Sequence, residues 1–323
     1  MRHVLAPARA LLLLVWAGAA RAGEVALTFD DLPYAGFSPS TEDAQQATRL
    51  LLAGLRRHHL PATGFVNEIQ LDKSDRGKRI ALLSEWLDAG MDLGNHIYSH
   101  RSLTNTPLPD FIADVAKGGQ VTGTLLATRG RQERWFRHPY LETGPTLDVR
   151  DRFEVWLAQH GCRIAPVTME NADWQFAPAY EQALLTGDRK AAARIRSSDL
   201  DFTGRMVDWY QTAAQQLLGR QPAFVFLMHA SRLNADNIDA LAAILRAHHL
   251  TGVTLDRALM DPAYAVPDRY AGPDGDGWLD RWSLTLKKPL PWSSLPKVPD
   301  DIVQGSARAS AARKAPRTQN PGQ

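Results

Sequence analysis

The chain has 323 residues, of which 44% are hydrophobic and 22% are charged. This balance excludes a disordered chain and a membrane bundle, and it is typical of a globular protein with one large α/β domain or two smaller ones. The formal net charge is +2, but residues 1–22 hold three arginines and residues 305–323 hold four basic side chains, with no acid in either segment. The body of the chain is therefore acidic, which excludes a basic surface for nucleic acid.

The first 22 residues have the pattern of a secretory signal. Arg2 and Arg9 precede an apolar run over 10–20, and the small residues Ala20 and Ala22 offer a cleavage site. An uncleaved anchor helix is the weaker alternative, because the run is short for a membrane span. We expect cleavage after Ala22 and a periplasmic or secreted protein without a stable membrane span.

Short apolar strands alternate with helical segments through the rest of the chain, which predicts a parallel sheet, either open or closed into a barrel. Strands are expected at 24–29, 61–67, 91–96, 134–139, 162–168, 223–229 and 252–255. Helices are expected at 42–58, around Ser84, at 111–127, around Val155, at 180–218 and at 235–247. The single cysteine, Cys162, begins one of these strands, so a buried thiol is favoured over a disulfide or a nucleophile.

Two joints between a helix and the next strand have nearly the same sequence, GLRRHHLPATGF and ILRAHHLTGVTL, and AQHGCRIA is a looser copy. A histidine at a helix C-terminus interacts favourably with the helix dipole. A structural role is therefore predicted for the histidines of these joints, which are His58, His59, His160, His248 and His249.

The segments VALTFDDLP and GNHIYSH predict a metal site. A helical turn after Asn95 would place His96 and His100 on one face, where their imidazoles can share one ion. Asp31 is a third ligand from another strand end, because the carboxyl ends of parallel strands meet at one edge of a sheet. Two histidines and one carboxylate leave open positions for water and substrate, as catalytic zinc sites require.

Asp30 precedes this ligand and is predicted to be a catalytic base. Successive side chains at a strand end point apart, so Asp31 can bind the ion while Asp30 faces the water that the ion polarises. A bound cation also explains why two adjacent carboxylates end an apolar run, since such a pair is costly without compensation. The structural alternative for the pair is a cap for the following loop.

Three later strand ends carry further polar and aromatic groups, in WFRHPYLETG, ENADWQF and FVFLMHA. Together with the two segments above, they form five ordered motifs between residue 24 and about residue 256. In this set the sequence resembles the polysaccharide deacetylases that share the NodB homology domain, which are classed among the carbohydrate esterases. The resemblance implies an α/β fold, a distorted (β/α) barrel with fewer than eight strands.

The resemblance also implies one divalent metal ion, usually zinc, with cobalt, nickel or manganese as alternatives. Its ligands would be Asp31, His96 and His100. Asp30 would be the general base, and Arg137 would pair with it and keep it ionised. Amide hydrolysis needs such an activated water, together with a donor to the oxyanion and a proton for the departing amine.

The other matched residues complete this chemistry in the resemblance. Tyr140 would offer its backbone N–H to the oxyanion, and His229 would be the general acid. Asp173 would orient His229 or the arginine of the third motif. Trp174 and Leu227 would shape an acetyl pocket.

Two positions depart from the family pattern. Ile97 stands where Ser or Thr usually follows the first metal histidine, and Leu141 stands where a small glycine usually follows Tyr140. These departures bear on loop geometry and substrate shape, and they leave the chemical groups in place. His138 lies inside the third motif without being a matched position, and a packing or supporting role is predicted for it.

We therefore expect a metal-dependent hydrolase that removes N-acetyl groups from a glycan containing N-acetylglucosamine, such as a chitin-type oligomer, peptidoglycan or an exopolysaccharide. Hydrolysis of O-acetyl esters, as in acetylated xylan, or of another non-peptide C–N bond is the first alternative. A carbohydrate-binding protein without catalysis is the second, and the five intact motifs count against it. A metal-dependent phosphatase ranks last, because it would keep more oxygen ligands around magnesium.

The expected domains follow from the extent of the resemblance. A signal peptide at 1–22 precedes a catalytic domain at 23–260, an irregular C-terminal extension at 261–304 packed on the barrel, and a disordered tail at 305–323. The DGDG of the extension lacks the spaced acids and closing Glu of an EF-hand, and is interpreted as a turn. Nothing in the sequence indicates an oligomeric state.

Overall fold

The computed structural model describes residues 22–36, 38 and 40–314, so the predicted signal peptide lies outside the described residues except for Ala22. The strands in these residues are β1 Gly23–Leu32, β2 Ala62–Val66, β3 Asp92–Asn95, β4 Trp135–Phe136, β5 Arg163–Ile164, β6 Met169–Glu170, β7 Phe224–His229 and β8 Leu250–Gly252. Seven of them follow the order β5-β4-β3-β2-β1-β7-β6, and β8 pairs with the start of β1. These pairings are all parallel.

The sheet is curled into a half-barrel whose edges are β5 and β6. Residues 165–168 join the two edges: the Ala165 N–H donates to the Phe136 carbonyl at 2.8 Å, and the Thr168 N–H donates to the Val225 carbonyl at 3.0 Å. Most of β1 and β7 is buried, because parallel strands flanked by helices are covered on both faces. The predicted fold, a distorted (β/α) barrel with fewer than eight strands, is confirmed: seven strands form the curled sheet, and the short β8 pairs with the start of β1 outside this order.

The helices of the described chain are α1 Thr41–Arg57, α2 Arg76–Asp88, α3 Leu108–Gly118, α4 Gln120–Ala127, α5 Leu147–Gln159, α6 Asp173–Leu185, α7 Arg189–Leu218, α8 Arg232–Ala247, α9 Leu255–Ala258, α10 Trp278–Leu286 and α11 Asp300–Lys314. The helix predicted at 111–127 is divided at Gly119. The helix predicted at 180–218 is divided where Gly187 adopts a left-handed φ of 71° and Asp188 caps α7. None of these helices is long and apolar enough to cross a membrane.

The histidines of the repeated joints lie at helix ends, which confirms the structural interpretation. His58, His160 and His248 are the C-terminal caps of α1, α5 and α8, and His59 and His249 each follow a cap with left-handed φ angles of 53° and 57°. The single cysteine, Cys162, is buried beside β5, as predicted.

The C-terminal extension is more regular than predicted, since it contains α10 and leads into α11. Trp282 of α10 is completely buried in the main core, and Ile302 of α11 is 1% exposed and packs against α6 and α7. The prediction of a disordered tail from residue 305 is wrong for 305–314, which continue α11. An alanine-rich segment favours a helix once an apolar residue such as Ile302 anchors it to the rest of the protein. Residues 315–323 lie outside the described residues.

Candidate active site

The parallel register brings the predicted site residues to the carboxyl edge of the sheet. Asp30 near the end of β1 pairs with His229 at the end of β7. The pairing of β3 with β4 sets His96 beside Arg137, and His96 Nδ1 lies 2.8 Å from the Arg137 carbonyl oxygen. Residues far apart in the chain thus meet because each one ends or follows a neighbouring strand.

Asp31, His96 and His100 form a cluster that fits one metal ion, with their ligand atoms within 4.8 Å of one another. Asp31 Oδ1 lies 3.8 Å from His96 Nε2 and 3.6 Å from His100 Nε2. Ligand atoms about 2.1 Å from a zinc ion in tetrahedral geometry are about 3.4 Å apart, so these separations suit a single ion. Asp31 Oδ1 supports the fit, because it is buried and has no hydrogen-bond partner among the described residues.

The protonation states of the cluster also suit a cation. The Arg137 carbonyl fixes the proton of His96 on Nδ1, which leaves Nε2 free to bind an ion. Burial and the neighbouring His96 lower the pKa of His100 to about 4, so its imidazole is neutral near neutral pH. Burial raises the pKa of Asp31, but its interactions with His100, His96 and His229 and a hydrogen bond from Asn67 outweigh burial and hold that pKa below its ordinary value.

The loop that carries the two histidines is not the helical turn predicted after Asn95. Its backbone enters the left-handed region at Ile97, with φ 62°, and at His100, with φ 55°. The Asn95 side chain accepts the Ile97 N–H at 2.7 Å and so satisfies it outside a helix. The rings of His96 and His100 still meet, with centroids 4.9 Å apart. Asp31 is left-handed as well, with φ 62°, so strained backbone is concentrated at the metal cluster.

Asp30 lies beside the cluster and is held by a buried arginine. Its carboxylate oxygens both lie 3.3 Å from Arg137 Nη1, and its Oδ2 lies 3.8 Å from His96 Nε2. Arg137 is 1% exposed. Its Nε donates to the Ala165 carbonyl at 2.9 Å, and its Nη2 donates to the Thr28 hydroxyl at 3.1 Å. This framework fixes the carboxylate and supplies a positive charge to balance it.

His229 forms a hydrogen-bonded pair with Asp173. Asp173 Oδ1 lies 2.8 Å from His229 Nδ1, and Asp173 Oδ2 accepts the His229 backbone N–H at 2.7 Å. Burial lowers the pKa of His229, but the Asp173 carboxylate outweighs burial and raises it to about 10. The resemblance left His229 and Arg137 as possible partners of Asp173, and the structure shows the contact with His229.

The site opens onto a cavity of about 230 Å³ whose lining includes Asp31, His229 and Trp174. Trp174 is 57% exposed and presents its ring to solvent. Arg313 lines the same cavity, so α11 reaches the site. A larger groove of about 1100 Å³, beside Gly23 at the other end of β1, contains none of the predicted site residues.

A left-handed turn at Tyr140 and Leu141 borders the cluster, with φ angles of 58° and 57°. The Tyr140 ring lies edge-on to the His100 ring, with centroids 4.6 Å apart. The Tyr140 N–H donates no hydrogen bond within the part of the chain that the structure describes. Leu227 is 8% exposed and packs with Leu141 and Val167 into a small apolar wall.

Two asparagines that support the site were not predicted from the sequence. Asn95 holds the loop between the metal histidines, and Asn234 of α8 donates to Asp173 and, at 2.8 Å, to the His229 carbonyl. Asn95 ends a strand next to a ligand, and asparagine at such a position signals side-chain bonding to the backbone. Asn234 carries no comparable signal, because it lies inside a helix and meets its partners only in the folded protein.

Comparison of the sequence with known proteins finds a family match that covers part of this site. Residues 17–154 match the family model described as polysaccharide deacetylase. A peptidoglycan-N-acetylglucosamine deacetylase from Bacillus cereus is 28% identical over 153 residues, which are 47% of this chain and 46% of that protein. The chain thus spans about half the length of the curated relative it matches.

Two solved structures are less similar in sequence to this chain than the Bacillus cereus relative is. A family 4 carbohydrate esterase from Streptomyces lividans in complex with acetate is 22% identical, with a TM-score of 0.48, and the match covers 74% of this chain and 97% of that one. A CE4 family pseudoenzyme from Bacillus anthracis is 16% identical, with a TM-score of 0.49, and the match covers 74% of this chain and 66% of that one. The barrel assignment depends on the strand order and not on these likenesses.

The segment that matches the family model contains six of the ten predicted site residues. The other four lie beyond it and reach the site through the fold; they are Asp173, Trp174, Leu227 and His229. The resemblance seen in the motifs is therefore confirmed by the match to the polysaccharide deacetylase family model, which covers residues 17–154.

Proposed function

We propose that this protein is a metal-dependent hydrolase that removes N-acetyl groups from a glycan containing N-acetylglucosamine. The proposal depends on one observation, the convergence of three functional groups at one edge of the sheet. These are a three-ligand metal cluster, a carboxylate bound to a buried arginine, and a histidine bound to a buried carboxylate. Together they supply the electrophile, the base and the acid that amide hydrolysis needs.

Asp31, His96 and His100 would hold the divalent ion, which when bound polarises water and an acyl carbonyl. Asp30 lies 3.8 Å from His96 Nε2 and so stands beside that position. It takes the proton of the attacking water as the water oxygen bonds to the acyl carbon. Arg137 holds the Asp30 carboxylate in place throughout, because its own guanidinium is fixed by backbone and hydroxyl acceptors.

His229 supplies the proton that the leaving amine requires. With a pKa raised to about 10, its imidazole is protonated at neutral pH. Asp173 fixes the Nδ1 proton, so the Nε2 proton is transferred to the amine nitrogen as the C–N bond breaks and its electron pair goes to nitrogen. The products are acetate and a free amine on the sugar. Transfer of a proton from Asp30 to His229 through solvent restores both groups.

Three residues serve the acyl group and the sugar, and one of them, Trp174, lines the cavity. The Tyr140 N–H is not committed to another acceptor in the described chain and donates to the oxyanion. Leu227 and its apolar neighbours enclose the acetyl methyl group. Trp174 offers an exposed aromatic face on which a sugar ring can pack.

We further propose that the glycan lies outside the cytoplasm, in the periplasm or beyond. The signal-like first 22 residues support this location. The relative named as a peptidoglycan-N-acetylglucosamine deacetylase supports peptidoglycan as the first substrate to test.

Acetate release by the zinc-loaded protein tests the proposal on four substrates: chitin-type oligomers, peptidoglycan, an N-acetylated exopolysaccharide and acetylated xylan. We expect acetate from at least one N-acetylated glycan. Acetate from xylan alone would indicate an O-acetyl esterase, and glycan binding without acetate from any substrate would indicate a binding protein. Asp30→Asn should release little acetate, and Asp88→Asn is its control, because the Asp88 carboxylate binds Arg129 on the surface.

A further inference from the structure

We propose that the C-terminal extension completes the active site: its Arg281 and Gly275 hold the Tyr140–Leu141 turn in the conformation that presents the Tyr140 N–H to the oxyanion. This inference rests on the proposed function, which gives that N–H its role. The family match ends at residue 154, so it assigns nothing to the extension. In this account Arg281 is a positioning residue that acts through the turn.

The turn needs an external support because its backbone is strained. Tyr140 has φ 58° and ψ 11°, and Leu141 follows with φ 57°. Two consecutive residues with side chains in the left-handed region are unfavourable, and such a conformation persists where its surroundings over-determine it. Within the turn the Leu141 N–H donates to the His138 carbonyl at 3.1 Å. The Glu142 N–H donates to the Pro139 carbonyl, also at 3.1 Å, and the Tyr140 ring packs against His100. The extension adds further contacts.

Arg281 of α10 bridges the turn and the extension. Its Nη2 donates to the Leu141 carbonyl at 3.0 Å, and its Nη1 donates to the Thr143 hydroxyl at 3.0 Å. On the other side it binds Asp268 Oδ2 at 2.8 Å and the Asp276 carbonyl at 2.9 Å. The side chain is completely buried, so these acceptors replace the water that a guanidinium would otherwise bind. The Leu141 carbonyl is thus fixed by a rigid, charged donor.

Gly275 packs directly against the same turn. A Cβ atom at this position would lie 1.6 Å from the Tyr140 carbonyl oxygen, a distance that no side chain could tolerate. The backbone of the extension therefore touches the peptide group that follows the proposed oxyanion donor. Any residue other than glycine has to displace that peptide or the extension.

The extension also supports the apolar wall beside the turn. The Trp278 N–H donates to the Val167 carbonyl at 2.7 Å, and Val167 packs with Leu141 and Leu227. The oxyanion donor and the acetyl wall thus share one support. We therefore expect damage to this support to affect the reaction rate more than substrate binding, because the displaced group acts in the transition state.

A surface substitution gives the first test. Gly275 is exposed, so Gly275→Ala should fold, while its new methyl group displaces the Tyr140 peptide. We expect kcat for acetate release to fall roughly ten- to a hundred-fold with KM nearly unchanged, because a misplacement of about 1 Å can cost that much. Gly77→Ala is the control, since Gly77 is also exposed and a Cβ there would meet no atom within 4 Å. Wild-type kcat in Gly275→Ala would overturn the inference.

Substitutions of the arginine give the second test. We expect Arg281→Met to lower kcat at full metal content and to speed hydrogen exchange in the peptide that contains Tyr140 and Leu141, and Arg281→Lys to be intermediate. Arg150→Met is the matched control, because Arg150 also anchors the extension, through Asp268 at 3.3 Å and the Tyr270 carbonyl at 3.0 Å. It does not touch the turn, so it should lower thermal stability and leave kcat unchanged.

Equal losses of kcat in Arg281→Met and Arg150→Met would overturn the positioning role, since general loosening of the extension would then explain both. If Arg281→Met does not fold, Gly275→Ala decides the question alone. The proposed function fails separately, by absence of acetate release from the unsubstituted protein. The inference fails when that protein is active and Gly275→Ala and Arg281→Met leave its kcat and hydrogen exchange unaltered.

Discussion

Replacing Asp173 with Asn tests how the acid of the site is tuned. The change keeps the shape of the side chain and removes the negative charge that faces His229 Nδ1 at 2.8 Å. A hydrogen bond to a charged group contributes about 1.5 to 3 kcal/mol, and one pKa unit corresponds to about 1.36 kcal/mol. Removing this charge should therefore lower the pKa of His229 by about one to two units, from about 10 to about 8 or 9.

The assay is the pH dependence of kcat/KM for amide hydrolysis across the neutral and alkaline range. As the proposed acid, His229 would act in its protonated form, so activity is expected below its pKa and should be lost as the pH rises through it. The alkaline limit should therefore move to lower pH in Asp173→Asn. At equal metal content, the charge of a bound ion acts on both proteins alike. Asp88→Asn is the control, because its carboxylate binds Arg129 on the surface. An unmoved alkaline limit at full metal content would refute the assignment of the acid.

Three further predictions concern the metal ligands, the paired carboxylates and the acid itself. His96→Ala or His100→Ala should abolish both zinc binding and activity, and elemental analysis would contradict this by finding full metal in the double variant. Asp31→Asn should lose the metal, whereas Asp30→Asn should keep it and lose ~10² to 10⁴ in turnover; equal metal loss in both would show the division of roles to be wrong. His229→Ala should reduce amide hydrolysis far more than hydrolysis of an aryl acetate, and equal losses on the two substrates would exclude it as the acid for the amine.

The sheet and the convergence of the candidate site residues could be predicted from the sequence because two simple patterns coincide. Apolar strands alternate with helices, which requires parallel pairing, and the candidate site residues follow the strand ends. Asp30 and His229 are paired in this register, and Asp31 follows at an irregularity of the β1–β2 pairing. His138 also follows its prediction, since it is buried among phenylalanine rings and burial lowers its pKa to about 3.

Features that depend on single tertiary contacts could not be predicted in this way. The loop of the metal histidines departs from a helix because Asn95 binds the Ile97 N–H, and no periodicity reports such a bond. Helix α11 forms where composition suggests disorder, because Ile302 packs against α6 and α7. The contact of Arg281 with the Leu141 carbonyl joins residues 140 positions apart, so neither segment indicates it alone.

Titration of the metal-free protein with zinc, with acetate release measured at each step, tests the central claim most directly. We predict that acetate release from an N-acetylated glycan rises in proportion to bound zinc and stops rising at about one ion per chain, as expected for a single three-ligand site. In the same titration Asp30→Asn should bind the same amount of zinc and release little acetate. Full acetate release without bound metal, or undiminished release by Asp30→Asn, would contradict the account.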